Sequence, residues 1–293
     1  MRILSLALAS AVCFAVPACA ATQETTRASM SAPAIAVEQR GAGPTVIFIP
    51  GLASGTGTFD ASVKSAGVDA RLVALAGFAG APPTEGPFFE TRLRALRGYL
   101  AKEDLRDVVV VGHSLGGVMA MKLAIAEPER VGSILIIDSA PFLAQFMFGA
   151  ADEASARPSA EALRAQLIAT PAEAYEAQQK AFAATQAKAP EAQARIARDS
   201  LASDRATVAA AMAEMLGEDL RDDIAAIEQK MIVLYPYRAG APFSAEQADA
   251  AYKAQYAAAK NAQLQRIDDS GHFIGDDQPE AVAAALARLL AAR

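Results

Sequence analysis

The sequence predicts an α/β fold: a mostly parallel central sheet flanked by helices, with a helical insertion. Three observations carry the prediction. Val108–Val111 is a run of four valines ahead of the helix-like stretch from Gly117 to Ala126, and so short and unbroken an apolar run reads as a strand buried on both faces. Comparable runs recur at Thr45–Ile49, Arg71–Ala76, Ser133–Ile137 and Met231–Tyr235. Finally, 293 residues that are 53% hydrophobic, chiefly through alanine, suit one large helix-rich domain with an insertion.

Taken in order, residues 1–20 read as a secretory signal. Arg2 supplies the positive start, Ile3–Val16 the apolar stretch, and Ala18-Cys19-Ala20 the small residues before a cut after Ala20. The apolar stretch is short for a membrane span. Val16-Pro17-Ala18-Cys19 also permits a lipoprotein reading with lipid on Cys19, although Pro17 departs from the usual signal. Cys13 and Cys19 both fall here, so the mature domain, residues 21–293, is left without a disulfide or a cysteine metal site. From Thr22 to about Ala34 the chain is polar and reads as a lead-in.

Ile35–Arg40 begins a strand, and Gly41-Ala42-Gly43-Pro44 turns the chain into Thr45–Ile49. Residues 21–139 form the first part of the core. Residues 140–223, rich in Ala, Glu, Gln and Arg, read as three or four helices broken near Pro158, Pro171 and Pro190, with Ser203-Asp204 opening the helix Arg205–Leu216. Residues 224–293 return to the core: a short strand at Gln263–Ile267, the loop Asp268–Phe273, and an amphipathic helix from Pro279.

Chemistry concentrates at Gly112-His113-Ser114-Leu115-Gly116. Strand, then Gly-x-Ser-x-Gly, then helix is the context of a nucleophile elbow, in which a sharp turn lifts the serine hydroxyl above the sheet edge. Side chains at 112 and 116 would collide with backbone there. The chain has two histidines. His113 is poorly placed to serve its neighbour Ser114, so an imidazole that activates the serine must be His272. With a single histidine to spare, a zinc site is disfavoured, and no dinucleotide fingerprint or P-loop is present. No cofactor is expected. The net charge of −6 argues against nucleic acid and offers no basic patch to an anionic membrane.

Together the elbow, Thr45–Gly51, Pro128–Asp138, Met231–Tyr235 and the His272 loop resemble the α/β-hydrolase fold of lipases, esterases and related serine hydrolases. The resemblance covers most of the mature chain. It implies a capped carboxylic-ester hydrolase in which Ser114 is the nucleophile, His272 the base, and the backbone amides of Leu52 and Leu115 the oxyanion donors. Many relatives carry histidine where this chain has Pro50, which removes a side chain but not the donor. For the acid, Asp138 at the end of an apolar strand is the first choice. Many relatives place it after the strand matched by Met231–Tyr235, but Pro236–Pro242 holds no carboxylate. Glu246 and Asp249 come later, and Asp268 and Asp269 stand close to His272 in sequence. The 140–223 insertion resembles the family's cap, whose entry segment is rich in large apolar side chains. Phe142 and Phe146 there line the substrate pocket or fasten cap to core. The expected partner is a small to medium acyl ester. A perhydrolase or carbon–carbon bond hydrolase with the same triad, and a non-catalytic ligand-binding relative, stay open.

Overall fold

The computed structural model describes residues 32–291. The expected signal at 1–20, with Cys19, lies outside them. Among the described residues no helix is long and apolar enough to cross a membrane.

In chain order the elements are β1 (Ile35–Arg40), β2 (Thr45–Ile49), α1 (Asp60–Ala66), β3 (Asp69–Leu75), α2 (Phe88–Lys102), β4 (Val108–His113), α3 (Leu115–Ala126) and β5 (Val131–Ile137). Five helices follow: α4 (Leu143–Phe148), α5 (Glu153–Ala169), α6 (Ala172–Gln186), α7 (Pro190–Leu201) and α8 (Arg205–Gly217). The chain closes with β6 (Lys230–Tyr237), α9 (Ala245–Gln255), β7 (Ala262–Asp268), α10 (Ile274–Asp277) and α11 (Pro279–Leu290). The strands form one sheet in the order β1-β3-β2-β4-β5-β6-β7. Among the described residues only β1, at an edge, is antiparallel to its neighbour.

The valine run explains itself in this frame. Val108 and Val110 face a core shared with α2 and α3, whereas Val109 and Val111 face a second core shared with α1 and α11. A strand covered on both faces has no solvent side, so the alternation of a half-exposed strand gives way to a continuous apolar run. The same division separates Ile47 from Phe48 and Ile136 from Ile137.

The insertion after β5 is helical as expected, but one of the anticipated breaks is absent. Pro171 stands just before α6 and Pro190 opens α7, where a missing N–H costs nothing. Pro158 instead lies inside α5. That helix starts firmly, because Asp152 accepts from the Ser155 amide and the Ser155 hydroxyl reaches back to the Asp152 N–H. The expected start of α8 holds: Asp204 accepts from the Thr207 amide at 2.8 Å.

Candidate active site

Ser114 stands between β4 and α3 with φ +54° and ψ −120°, a conformation that costs a residue with a side chain about 1–3 kcal/mol and persists only where the surroundings enforce it. Here they do. The Ser114 amide donates to Ile137 O on β5 at 2.9 Å, and Gly117 N–H returns to Ser114 O at 2.7 Å. The two motif glycines make the turn possible. A Cβ on Gly112 would stand 2.2 Å from the Gly116 carbonyl oxygen, and one on Gly116 would stand 2.1 Å from that of Ile49.

The loop after β2 packs against this turn, since a Cβ on Gly51 would lie 3.1 Å from that of Ser114. The loop is set by Ser54, whose amide donates to Gly51 O and whose hydroxyl donates to Leu52 O, both at 3.2 Å. Leu115 is the first residue of α3, so its amide is one of the helix's unsatisfied donors. Among the described residues neither the Leu115 nor the Leu52 amide donates to a protein acceptor.

Asp138 follows β5 directly, and its amide donates to Leu234 O of β6 at 2.8 Å. Its Oδ2 lies 2.5 Å from Nδ1 of His272, which the loop between β7 and α10 delivers from 134 residues away. A carboxylate only accepts, so Nδ1 carries the proton and the free lone pair of neutral His272 is on Nε2. Among the described residues the Ser114 hydroxyl makes no hydrogen bond with that nitrogen, a contact often open in unliganded sites. The competing carboxylates are engaged elsewhere. Glu246 accepts from Ser244 at 2.8 Å, Asp249 pairs with Arg266 at 2.6 Å, Asp268 pairs with Arg266 at 2.7 Å, and Asp269 pairs with Lys188.

Two residues join the site that sequence reasoning did not place there. Tyr252 on α9 donates its hydroxyl to Oδ1 of Asp138. Burial, then the nearby carboxylate, pushes its phenol well above the ordinary tyrosine range, so it stays a neutral donor. The available signal was Tyr252 and Tyr256 one helical turn apart: Tyr256 donates to the carbonyl of Ser139, next to Asp138, at 2.9 Å. The second residue is His113, 2% exposed. Its Nε2 donates to the backbone carbonyl of His272 at 3.1 Å, while its Nδ1 has no partner. Burial, with the His272 ring adding to it, holds its pKa well below the usual histidine value, so the ring is neutral.

A cleft of about 70 Å³ runs beside His272 and His113. The 51–54 loop forms one wall; the cap supplies Gln179 and Phe182 from α6 and Ile196 and Ser200 from α7. The two phenylalanines expected to line the substrate pocket do not border this cleft. Phe142 is wholly buried with Ala144, Ala156 and Leu216, and its amide donates to the Gln255 side chain at 2.9 Å; its ring packs α4, α5 and α8 together, a burial worth roughly 1.5–3 kcal/mol. Phe146 walls a separate cavity of about 410 Å³ with Phe243 and Tyr252, behind Asp138. An apolar segment announces burial, but which space it fills is set by tertiary packing.

Cap and histidine loop are tied together. Arg195 of α7 grips Asp276 through two bonds of 2.8 and 2.7 Å. Asp277 accepts from the amides of Lys188 at 2.8 Å and Gly271 at 2.7 Å, and Phe273 N–H donates to Gln186 O at 3.0 Å. Among the described residues no three His, Cys, Asp or Glu side chains converge as a metal site requires.

Comparison with known proteins gives one broad match and several partial ones. The alpha/beta hydrolase family matches residues 46–285. A 2-hydroxy-6-oxononadienedioate/2-hydroxy-6-oxononatrienedioate hydrolase of Paraburkholderia xenovorans is 32% identical over 90 residues, 29% of this chain and 31% of the relative. Lipase LipV of Mycobacterium tuberculosis is 39% identical over 62 residues, 21% of this chain and 24% of the relative. The chain thus aligns with a third or less of these curated relatives. Among solved structures, an esterase from Exiguobacterium antarcticum superposes with a TM-score of 0.73 at 18% identity, over 88% of this chain and 95% of that one. At that identity the likeness speaks for the fold alone. The family match is different in kind, because it extends from β2 into α11 on a sheet of this order; the chain belongs to the alpha/beta hydrolase family.

Proposed function

We propose that the chain is a serine hydrolase that cleaves small carboxylic esters through an acyl-enzyme. The observation that carries this reading is the contact between Asp138 and His272 beside the strained Ser114 turn. Ser114 attacks the acyl carbonyl while Nε2 of His272 takes its proton. The oxyanion rests on the amides of Leu52 and Leu115, two fixed dipoles that need no reorganisation as charge develops. Protonated His272 is stabilised by Asp138 and gives its proton to the departing alcohol. Water then enters, loses a proton to His272 and releases the acid, restoring Ser114. A cleft of 70 Å³, well under the ~300–1,000 Å³ of drug-sized pockets, favours a short acyl chain. The same reading places the mature chain outside the cytoplasm, free after Ala20 or lipidated on Cys19. It is supported by the order of Arg2, the apolar stretch and the small residues. Intact mass decides that point: an unprocessed Met1 removes export.

The test is a p-nitrophenyl ester series from acetate to palmitate, on the mature protein and on Ser114→Ala. The expected optimum is short, and the variant loses several orders of magnitude in rate while keeping its far-UV dichroism. Activity within tenfold of wild type in a folded variant moves the nucleophile elsewhere. A palmitate optimum removes the size claim. Labelling of Ser114 by a covalent serine reagent without ester turnover points to a perhydrolase or carbon–carbon bond hydrolase using the same residues.

A further inference from the structure

Apart from its two imidazoles, the cleft beside His272 is largely apolar, with three polar side chains in its wall, Ser54, Gln179 and Ser200, and no carboxylate, ammonium or guanidinium. Two are committed. The Ser54 hydroxyl donates to Leu52 O, and the Ser200 hydroxyl donates to Oε1 of Gln179 at 2.7 Å. Ser200 is 7% exposed, so this bond is held within the cap and fixes the Gln179 amide. With its oxygen already accepting from Ser200, the amide keeps both N–H groups, and among the described residues that nitrogen donates to no protein acceptor. Besides the Leu52 amide reserved for the oxyanion, a small, largely apolar cleft with an oriented, unspent side-chain donor in its wall can read a second acceptor.

Building on the ester-hydrolase reading above, we infer that Gln179 is a specificity-determining residue and that the preferred substrates are short, neutral acyl esters with a second oxygen acceptor, an ether or keto oxygen, a few bonds from the scissile carbonyl. Neutrality follows from the wall, which offers no ammonium or guanidinium to a substrate carboxylate. Arg195, the cation nearest in sequence to the cleft's α7 residues, is already bound to both oxygens of Asp276. A neutral hydrogen bond of this kind discriminates by about three- to tenfold, and by more when its loss strands the partner.

Isosteric ester pairs isolate the effect: p-nitrophenyl methoxyacetate against butanoate, and 3-methoxypropanoate against pentanoate. Each pair has equal chain length and differs by oxygen for methylene. The ratio of kcat/KM within a pair is compared between wild type and Gln179→Met, which cancels the intrinsic reactivity of the ether esters. The expected result is a ratio at least about threefold lower in the variant for one or both pairs. Ser200→Ala, which removes only the group that orients the amide, lowers the same ratio by less, and it serves if Gln179→Met does not fold. Ratios within experimental error of wild type for both pairs, in whichever variants fold, overturn the assignment and leave the ester reading intact. Failure of the wild-type protein to hydrolyse any of the four esters overturns the ester reading itself, and this assignment with it.

Discussion

Replacing Tyr252 with phenylalanine removes one hydroxyl and little else. The ring keeps its stack on Tyr235, with centroids 4.3 Å apart, and its contact with Phe146 at 5.3 Å. What is lost is the donor to Oδ1 of Asp138, leaving the bond from its own amide to Leu234 O on β6 and the contact with His272 to hold that residue. A hydrogen bond to an ionised group contributes about 1.5–3 kcal/mol. The Asp138 side chain retains 13% of its exposure and borders a cavity that admits water, so the lower end applies, about 1.5 kcal/mol. If the acid's orientation matters chiefly once His272 is charged, most of that appears in the transition state, as a fall of about tenfold in kcat/KM. The loss is measured as kcat and KM on a short p-nitrophenyl ester, beside the thermal stability of both proteins. A kcat/KM within twofold of wild type refutes the reasoning and makes Tyr252 a packing residue.

Asp138→Asn should cost about 10⁴-fold in kcat by presenting the wrong tautomer to Nδ1, and Asp249→Ala less than tenfold; the reverse ranking, in parallel kinetics, moves the acid to α9. Neutral buried His113 refuses a proton that the unfolded chain accepts below about pH 6.5. The unfolded state therefore binds more protons, and stability falls as pH drops from about 6.5 toward 5, by up to ~1.4 kcal/mol per unit. Urea midpoints across that range should slope for wild type and flatten for His113→Asn. Arg195→Met strands the largely buried Asp276 carboxylate, 14% exposed. It should cost roughly 3 kcal/mol or somewhat less and speed hydrogen exchange at the Phe273 amide.

The fold was legible where local sterics or burial left one solution. Four valines at 108–111 admit no solvent face, and the 112 and 116 glycines leave no room for a Cβ. The approach of Asp138 to His272 was readable too, from a carboxylate ending an apolar strand and a spare histidine. The third partner was not: Tyr252 reaches Asp138 across 114 residues, and its spacing from Tyr256, one helical turn on, marks a shared face without saying what that face meets. His113 was visible but read only for what it does not do. The cap was legible as helices and illegible as a surface. Phe142 and Phe146 sit in one apolar segment, yet one is buried and the other walls a cavity away from His272, a difference decided by how α4 docks. Gln179, on a polar stretch of α6, carried no signal at all.

The bonds between cap and histidine loop mean that the two do not relax independently. Swinging α6 and α7 away from the core breaks the Gln186–Phe273 and Lys188–Asp277 links that hold the loop on either side of His272. A Cβ on Gly271 would lie 2.5 Å from Gln186 O, so the two segments are in direct contact there. Opening and loss of histidine alignment are therefore one equilibrium rather than two. On the proposed mechanism, any molecule with a raised cap would also have a misplaced base, and a substrate that binds only beneath the lowered cap would raise the competent population in proportion to its own affinity. On the same mechanism an oversized ester would be rejected twice by one event: it would prop the cap, and by propping it would disarm the base.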